Sequence, residues 1–265
     1  IISSHGTLTQ ILLILVFSRM IETLVNYLYS RKFVRPRFTI DFGLWKYLFK
    51  ECLPLALYSV IWIIYFRIDI VMLSMMQGDA PVGIYSAAYK LSEPLSLIPY
   101  ALTMSLFPIM SVSFKSSKER LINTYRLGIR YLLIIMLPIA IIITLLADKI
   151  ILLIYGIQFT GSITALQILI WALVFTSANS VMLNLLISME KQKLNAVSIT
   201  LCATINVTLN FILIPILSYN GASIATLVTS AVFFGASFYF VSKHLQVLPV
   251  QKITAKAVSY THLRA

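Results

Sequence analysis

LYSVIWIIYFRIDIVMLSMMQGDAPVGIYSAAYKLSEPLSLIPYALTMSLFPIM, residues 57–110, is two long apolar segments joined by the short polar turn Gln77-Gly-Asp-Ala-Pro81. Segments of this length and polarity read as a pair of membrane-crossing helices. Four ionisable residues interrupt them: Arg67, Asp69, Lys90 and Glu93. Charge in hydrocarbon is costly, so each needs a partner or an aqueous cavity, and the quartet is the best pointer to function. With the turn centred near residue 80, Asp69 can face Lys90 and Arg67 can face Glu93. At a rise of about 1.5 Å per residue, all four lie roughly 15–20 Å from the turn, inside the hydrocarbon. Lys90 and Glu93 are three apart and can also pair locally. Arg67 and Asp69 are two apart and point to different sides, so at least one looks to another helix or to water. Two compatible roles follow: a self-neutralising quartet that sets helix register, or a polar lining for a substrate or proton path.

The rest of the chain extends this pattern. Of its 265 residues 59% are hydrophobic and 11% charged, with a mean hydropathy of +0.91. That leaves too little polar surface to cover a soluble globule. Mostly apolar windows fall at residues 7–29, 52–76, 82–108, 131–146, 162–188, 195–217 and 222–241, predicting seven membrane helices. Membrane strands would alternate in polarity, so the expected fold is all-α, a polytopic membrane helix bundle.

The net charge of +12 raises the question of nucleic acid, and the distribution answers it. Sixteen Lys and Arg residues fall in alternate connections, from Arg31 through Lys118 and Lys191 to Lys256; the opposite connections hold only Lys149. This asymmetry is the positive-inside pattern, placing the basic connections in the cytoplasm, where they can also meet anionic lipid heads; no nucleic-acid partner is expected. Cys52 and Cys202 sit at or within apolar segments and suggest neither a disulfide framework nor a zinc site. His5, His244 and His262 are scattered, and no metal-ligand spacing, nucleophile elbow or phosphate-cradling glycine loop is present. Neither an enzyme nor a cofactor is expected.

In chain order, the first helix enters from outside with no preceding Met or signal peptide, which reads as a fragment whose earlier helices are missing. Arg19 and Glu22 can pair, although snorkelling of Arg19 to the interface is the preferred reading. Residues 31–51 form a basic, aromatic linker, amphipathic from Leu44 and lying on the membrane surface before Pro54 starts the next span. Ser111–Arg130 reads as a second interfacial helix. Pro94, Pro99, Pro108 and Pro138 mark kinks. The apolar run Ile150–Tyr155 in the outer connection 148–161 is expected to lie in the interface. Asn206 and Asn210, one turn apart, suit interhelical hydrogen bonds or a lumen. The Asn206-Val-Thr208 sequon lies within a span and is discounted. The ending Ser-Tyr-Thr-His-Leu-Arg-Ala reads as a cloning junction outside the fold.

These residues resemble the polysaccharide flippases (Wzx or RfbX type) of the multidrug/oligosaccharidyl-lipid/polysaccharide exporter superfamily. The resemblance rests on Asp69-Ile-Val-Met-Leu73, Val82-Gly-Ile-Tyr-Ser-Ala-Ala-Tyr-Lys-Leu91, Ile98-Pro-Tyr-Ala-Leu102 and Leu106-Phe-Pro-Ile-Met-Ser111. Tyr155-Gly156, Asn206-Val-Thr-Leu-Asn210, Ile214-Pro215, Gly221-Ala222 and Ala225-Thr226 continue it, so it covers about residues 10–245. It implies residues 1–30 as the last helix of a truncated first bundle, 31–51 as linker, 52–245 as a complete six-helix C-terminal bundle, and 246–265 as tail. It further implies export of undecaprenyl-diphosphate-linked oligosaccharide across a bacterial or archaeal cytoplasmic membrane, by alternating access, for lipopolysaccharide, O-antigen or other surface polysaccharide. Coupling to a proton or sodium gradient and contact with other polysaccharide-assembly membrane proteins belong to the same implication. Arg67 and Lys90 then attract phosphate or acidic sugar, and Asp69 and Glu93 tune them or carry protons. Tyr85, Tyr89, Asn206 and Asn210 complete the candidate lumen. The rivals are a multidrug cation antiporter of the same superfamily, a seven-helix receptor, which would usually show an outer disulfide, and a glycan polymerase or ligase, which needs a larger external loop.

Overall fold

The computed structural model describes residues 8–32 and 41–245. Phe33, Arg35, Arg37 and Phe38 of the linker, and the tail with its junction-like ending, lie outside the described residues. Two compact units divide the chain, Ile1–Leu53 and Pro54–Ala265.

In the first unit, α1 (Leu8–Ser30) carries Arg19 and Glu22 joined by a 2.8 Å ion pair. Snorkelling was the expectation; the spacing of three instead brings the two heads into register on one helix face. The amphipathic stretch expected from Leu44 is the start of α2 (Phe42–Gln77), whose first turn is capped by Asp41: its Oδ1 accepts from the backbone N–H groups of Gly43 and Leu44. The helix does not restart at Pro54 but runs through it.

The second unit holds the remainder of α2, then α3 (Asp79–Ser92), a 3-10 turn Glu93–Ser96, α4 (Leu97–Ser116), α5 (Lys118–Ile154), α6 (Ser162–Ser188) and α7 (Gln192–Leu245). No strand occurs among the described residues. Among the described residues five stretches, against the seven expected, are long and apolar enough to cross a bilayer: residues 60–77, 79–116, 118–154, 162–188 and 192–245, the last of which holds two of the expected spans. Their outer surfaces carry large apolar side chains such as Met75, Leu145, Leu153 and Ile216 in the open. A soluble protein does not leave so much apolar surface uncovered; this is a polytopic membrane helix bundle.

Local chemistry explains where the helices break. The polar turn contracts to Gly78, whose φ of 82° suits glycine, so Pro81 falls in the first turn of α3. Pro94 cannot donate a backbone hydrogen bond, and there α3 tightens into the 3-10 turn. Pro108 and Pro138, expected kink sites, sit inside unbroken α4 and α5. The 54-residue α7 is two helices, 192–217 and 219–245, divided at Ser218, which has φ 52° and ψ −132°. The two halves meet so closely that a Cβ on Gly221 would lie 2.3 Å from the Leu213 carbonyl oxygen. The break also frees the Ile214 carbonyl, which accepts from Gln77 Nε2 at 3.4 Å.

Two segments expected at the membrane surface belong to longer helices. Ser111–Arg130 is divided between two helices: α4 ends at Ser116, Ser117 Oγ caps α5 by accepting from the Arg120 N–H, and α5 continues without a break into the bundle. The reason is a continuous buried stripe, Leu121, Tyr125, Leu132 and Met136, packed against α4 and α6. Likewise Ile150–Ile154 is the last turn of α5, with Tyr155 as its C-cap, and nearby Ala147 and Ile151 are sealed against Tyr85, Ala88 and Leu166. Helix α6 is the centre of the unit, in contact with α3, α4, α5 and α7.

Candidate functional site

Because α2 turns about 100° per residue, Arg67 and Asp69 leave it on different sides. Arg67 emerges at the surface and Asp69 is buried, 3% exposed. Between them lies a cavity of about 350 Å³ bounded by α2, α3, the 3-10 turn, α6 and α7. Trp62, Tyr65 and Phe66 form an aromatic wall, with Trp62 and Phe66 centroids 4.7 Å apart. Tyr89, Ser92, Glu93 and Ser96 come from α3 and the turn, Thr176 from α6, and Asn206, Thr226 and Ser230 from the two halves of α7.

Charge sits at the rim and hydrogen bonding lies deeper. Arg67 Nη2 meets Glu93 Oε1 at 3.1 Å, with both side chains half exposed, and its guanidinium carbon lies 5.5 Å from the centre of the Tyr89 ring. A cation over an aromatic face is held in place without being neutralised. Asp69 faces no cation within ion-pair range among the described residues. Its Oδ2 accepts from the Tyr85 hydroxyl, the Thr226 hydroxyl lies 3.4 Å from the same oxygen, and Oδ1 takes the Ile70 backbone N–H at 3.0 Å. A second ladder stands behind the cavity: Asn210 Nδ2 donates to Asn206 Oδ1 at 2.9 Å, and Asn206 Nδ2 reaches Thr229 Oγ1 at 3.5 Å. Asn210 Oδ1 is buried without a partner among the described residues. No three His, Cys, Asp or Glu side chains converge as a metal-ligand set among those residues.

Of the eight residues singled out from sequence, Arg67, Asp69, Tyr89, Glu93 and Asn206 line the cavity. Tyr85 is buried behind Asp69 and Asn210 behind Asn206. The expected Arg67–Glu93 pair forms, whereas the Asp69–Lys90 pair does not: Lys90 is exposed, outside the lining, with no partner among the described residues. The local Lys90–Glu93 pair is also unformed. The cause is rotational phase. Tyr85 and Lys90 are five residues apart on α3, about 140° around the helix, so the face that brings Tyr85 to Asp69 turns Lys90 away from it. Thr226, Ser230, Thr176 and the aromatic wall were not among the sequence candidates. Of these only Thr226 fell in a quoted motif, and nothing in its neighbourhood marked it as a partner of Asp69.

A family model for polysaccharide biosynthesis proteins matches residues 7–164, more than half the chain. No curated protein matches. Among solved structures, the lipid II flippase MurJ in an inward closed conformation matches with a TM-score of 0.69 at 14% identity, over 86% of this chain and 49% of that one. This chain therefore spans about half the length of that flippase, and the likeness is one of fold. The family match takes in α1 through α5 and with them the rim residues Arg67, Tyr89 and Glu93, so the chain belongs to the polysaccharide biosynthesis protein family.

Proposed function

We propose that this chain forms part of a transporter that moves a lipid-linked oligosaccharide, carried on undecaprenyl diphosphate, across the cytoplasmic membrane by alternating access. The observation that carries the reading is Arg67: a guanidinium at the mouth of a cavity in an apolar bundle, seated on Tyr89 and only partly neutralised by Glu93. A diphosphate and its sugars cross hydrocarbon only if the protein supplies cations and hydrogen-bonding groups while the lipid tail stays in the bilayer. Arg67 provides a planar fork for phosphate. Ser96, Thr176 and Asn206 offer hydrogen bonds, and the Trp62–Phe66 wall offers ring faces for sugars. At about 350 Å³ the cavity lies at the small end of ligand pockets, enough for the diphosphate with its nearest sugar rather than a whole repeat unit. Asp69, set among hydroxyl groups and away from cations, is the group to which coupling to a proton or sodium gradient is assigned.

The test is complementation. In a host whose own flippase is deleted, the longest available form of this protein carrying Arg67→Ala is expected to be made at normal level yet to lose surface polysaccharide, read by glycan blotting. Full export by Arg67→Ala would return the residue to a structural role and remove the main support for the reading.

A further inference from the structure

Arg67 on α2, Lys90 on α3 and Glu93 at the start of the 3-10 turn sum to one positive charge more than they can neutralise among themselves. Glu93 meets Arg67 through a single contact, Nη2 to Oε1 at 3.1 Å, with the two side chains 51% and 47% exposed. This is not the two-point fork that binds a guanidinium and a carboxylate firmly, and an exposed pair of this kind is weak. Three residues earlier stands Lys90, exposed and unpaired among the described residues, at the spacing that lets two side chains meet on one helical face. By that spacing Lys90 is a second cation available to the carboxylate, which in this structure is held by Arg67.

We propose that Glu93 is an internal stand-in for the ligand's anion: it holds Arg67 when the cavity is empty and passes to Lys90 when a diphosphate takes the guanidinium. This rests on the transporter reading above and adds a regulatory step to the same site. Tyr89 makes the exchange workable, because its ring keeps the guanidinium in position after Glu93 departs. A diphosphate brings more negative charge than one carboxylate and can use both arms of the guanidinium, so it displaces Glu93 where a neutral sugar does not.

The experiment is calorimetric titration of farnesyl diphosphate into the full chain in phosphatidylcholine nanodiscs, with folding of each variant followed by circular dichroism. Glu93→Gln is expected to bind about fivefold more tightly than the parent, since the competing ion pair is gone. Glu93→Ala is expected to shift binding in the same direction, which guards against a peculiarity of the amide. Arg67→Gln abolishes binding. Lys90→Gln weakens binding about twofold in the parent and not at all in the Glu93→Gln background, because its role is to receive Glu93. If Arg67→Gln abolishes binding but neither Glu93 variant tightens it, the exchange is wrong and the transporter reading stands. If Lys90→Gln weakens binding equally in both backgrounds, Lys90 contacts the ligand directly and the exchange is again wrong. If the folded parent and all variants fail to bind the diphosphate, the exchange and the transporter reading fall together.

Discussion

Asp69 shows how far one side chain's surroundings can depart from what its neighbours in sequence suggest. A carboxyl two positions from an arginine, facing a lysine across a hairpin, reads as half of an ion pair. In the folded chain it is held by Tyr85, Thr226 and a backbone N–H, with both cations elsewhere. Tyr85 is completely buried, so its hydroxyl has no water to fall back on, and its loss leaves a carboxyl oxygen poorly satisfied. Tyr85→Phe is expected to cost on the order of 1–2 kcal/mol, read from thermal or denaturant unfolding in detergent. Phe fills the same space, so a neutral result would show that Thr226 and the backbone alone satisfy Asp69. At the rim the arithmetic differs: Arg67 and Glu93 are half exposed, so their pair contributes little to stability and its importance lies in the ligand site. Arg67→Ala should therefore leave the unfolding midpoint nearly unchanged while abolishing export.

The element with the sharpest internal conflict is α7. Ser218 adopts a conformation, φ 52° with ψ −132°, that glycine tolerates and other residues adopt only under strain of roughly 1–3 kcal/mol. The break is nevertheless over-determined: Pro215 weakens the ladder before it, Gln77 takes the carbonyl of Ile214, and Gly221 lets the second half return against the first. Two substitutions should act in opposite directions. Ser218→Gly relieves the strain and is expected to raise stability by about 1 kcal/mol. Gly221→Ala drives a methyl group against backbone that cannot step aside and is expected to cost about 1–3 kcal/mol. Both are read as shifts in unfolding midpoint. Among the connections, the one between α2 and α3 was legible as a turn, but its centre at Gly78 was not. Glycine, aspartate and proline crowd within four positions there, and each alone is a plausible turn centre. Which residue of α3 reaches Asp69 was a matter of rotational phase instead: Tyr85 and Lys90 lie about 140° apart around the helix, and only the former faces α2.

For the molecule as a whole, the apolar exterior and the one-sided distribution of Lys and Arg lead to a topological expectation. Single cysteines placed in a background lacking Cys52 and Cys202 should divide by side. Lys191→Cys is expected to react with an impermeant maleimide only after cell lysis, and Lys149→Cys in intact cells. Labelling of Lys191→Cys in intact cells would reverse the assignment of the basic connections. The amino-acid sequence by itself determined the all-helical membrane class, the approximate position of the spans from residue 60 onward and the charged hairpin, because a helix in lipid must satisfy its own backbone and show apolar side chains to its surroundings, both local properties of a segment. The tertiary structure alone decided which side chains border the cavity and which charges meet. Those depend on the rotational phase and depth at which each helix docks on α6 and on the other half of α7, and a shift of one residue turns a helix through about 100°, enough to exchange a cavity-facing side chain for one that faces lipid.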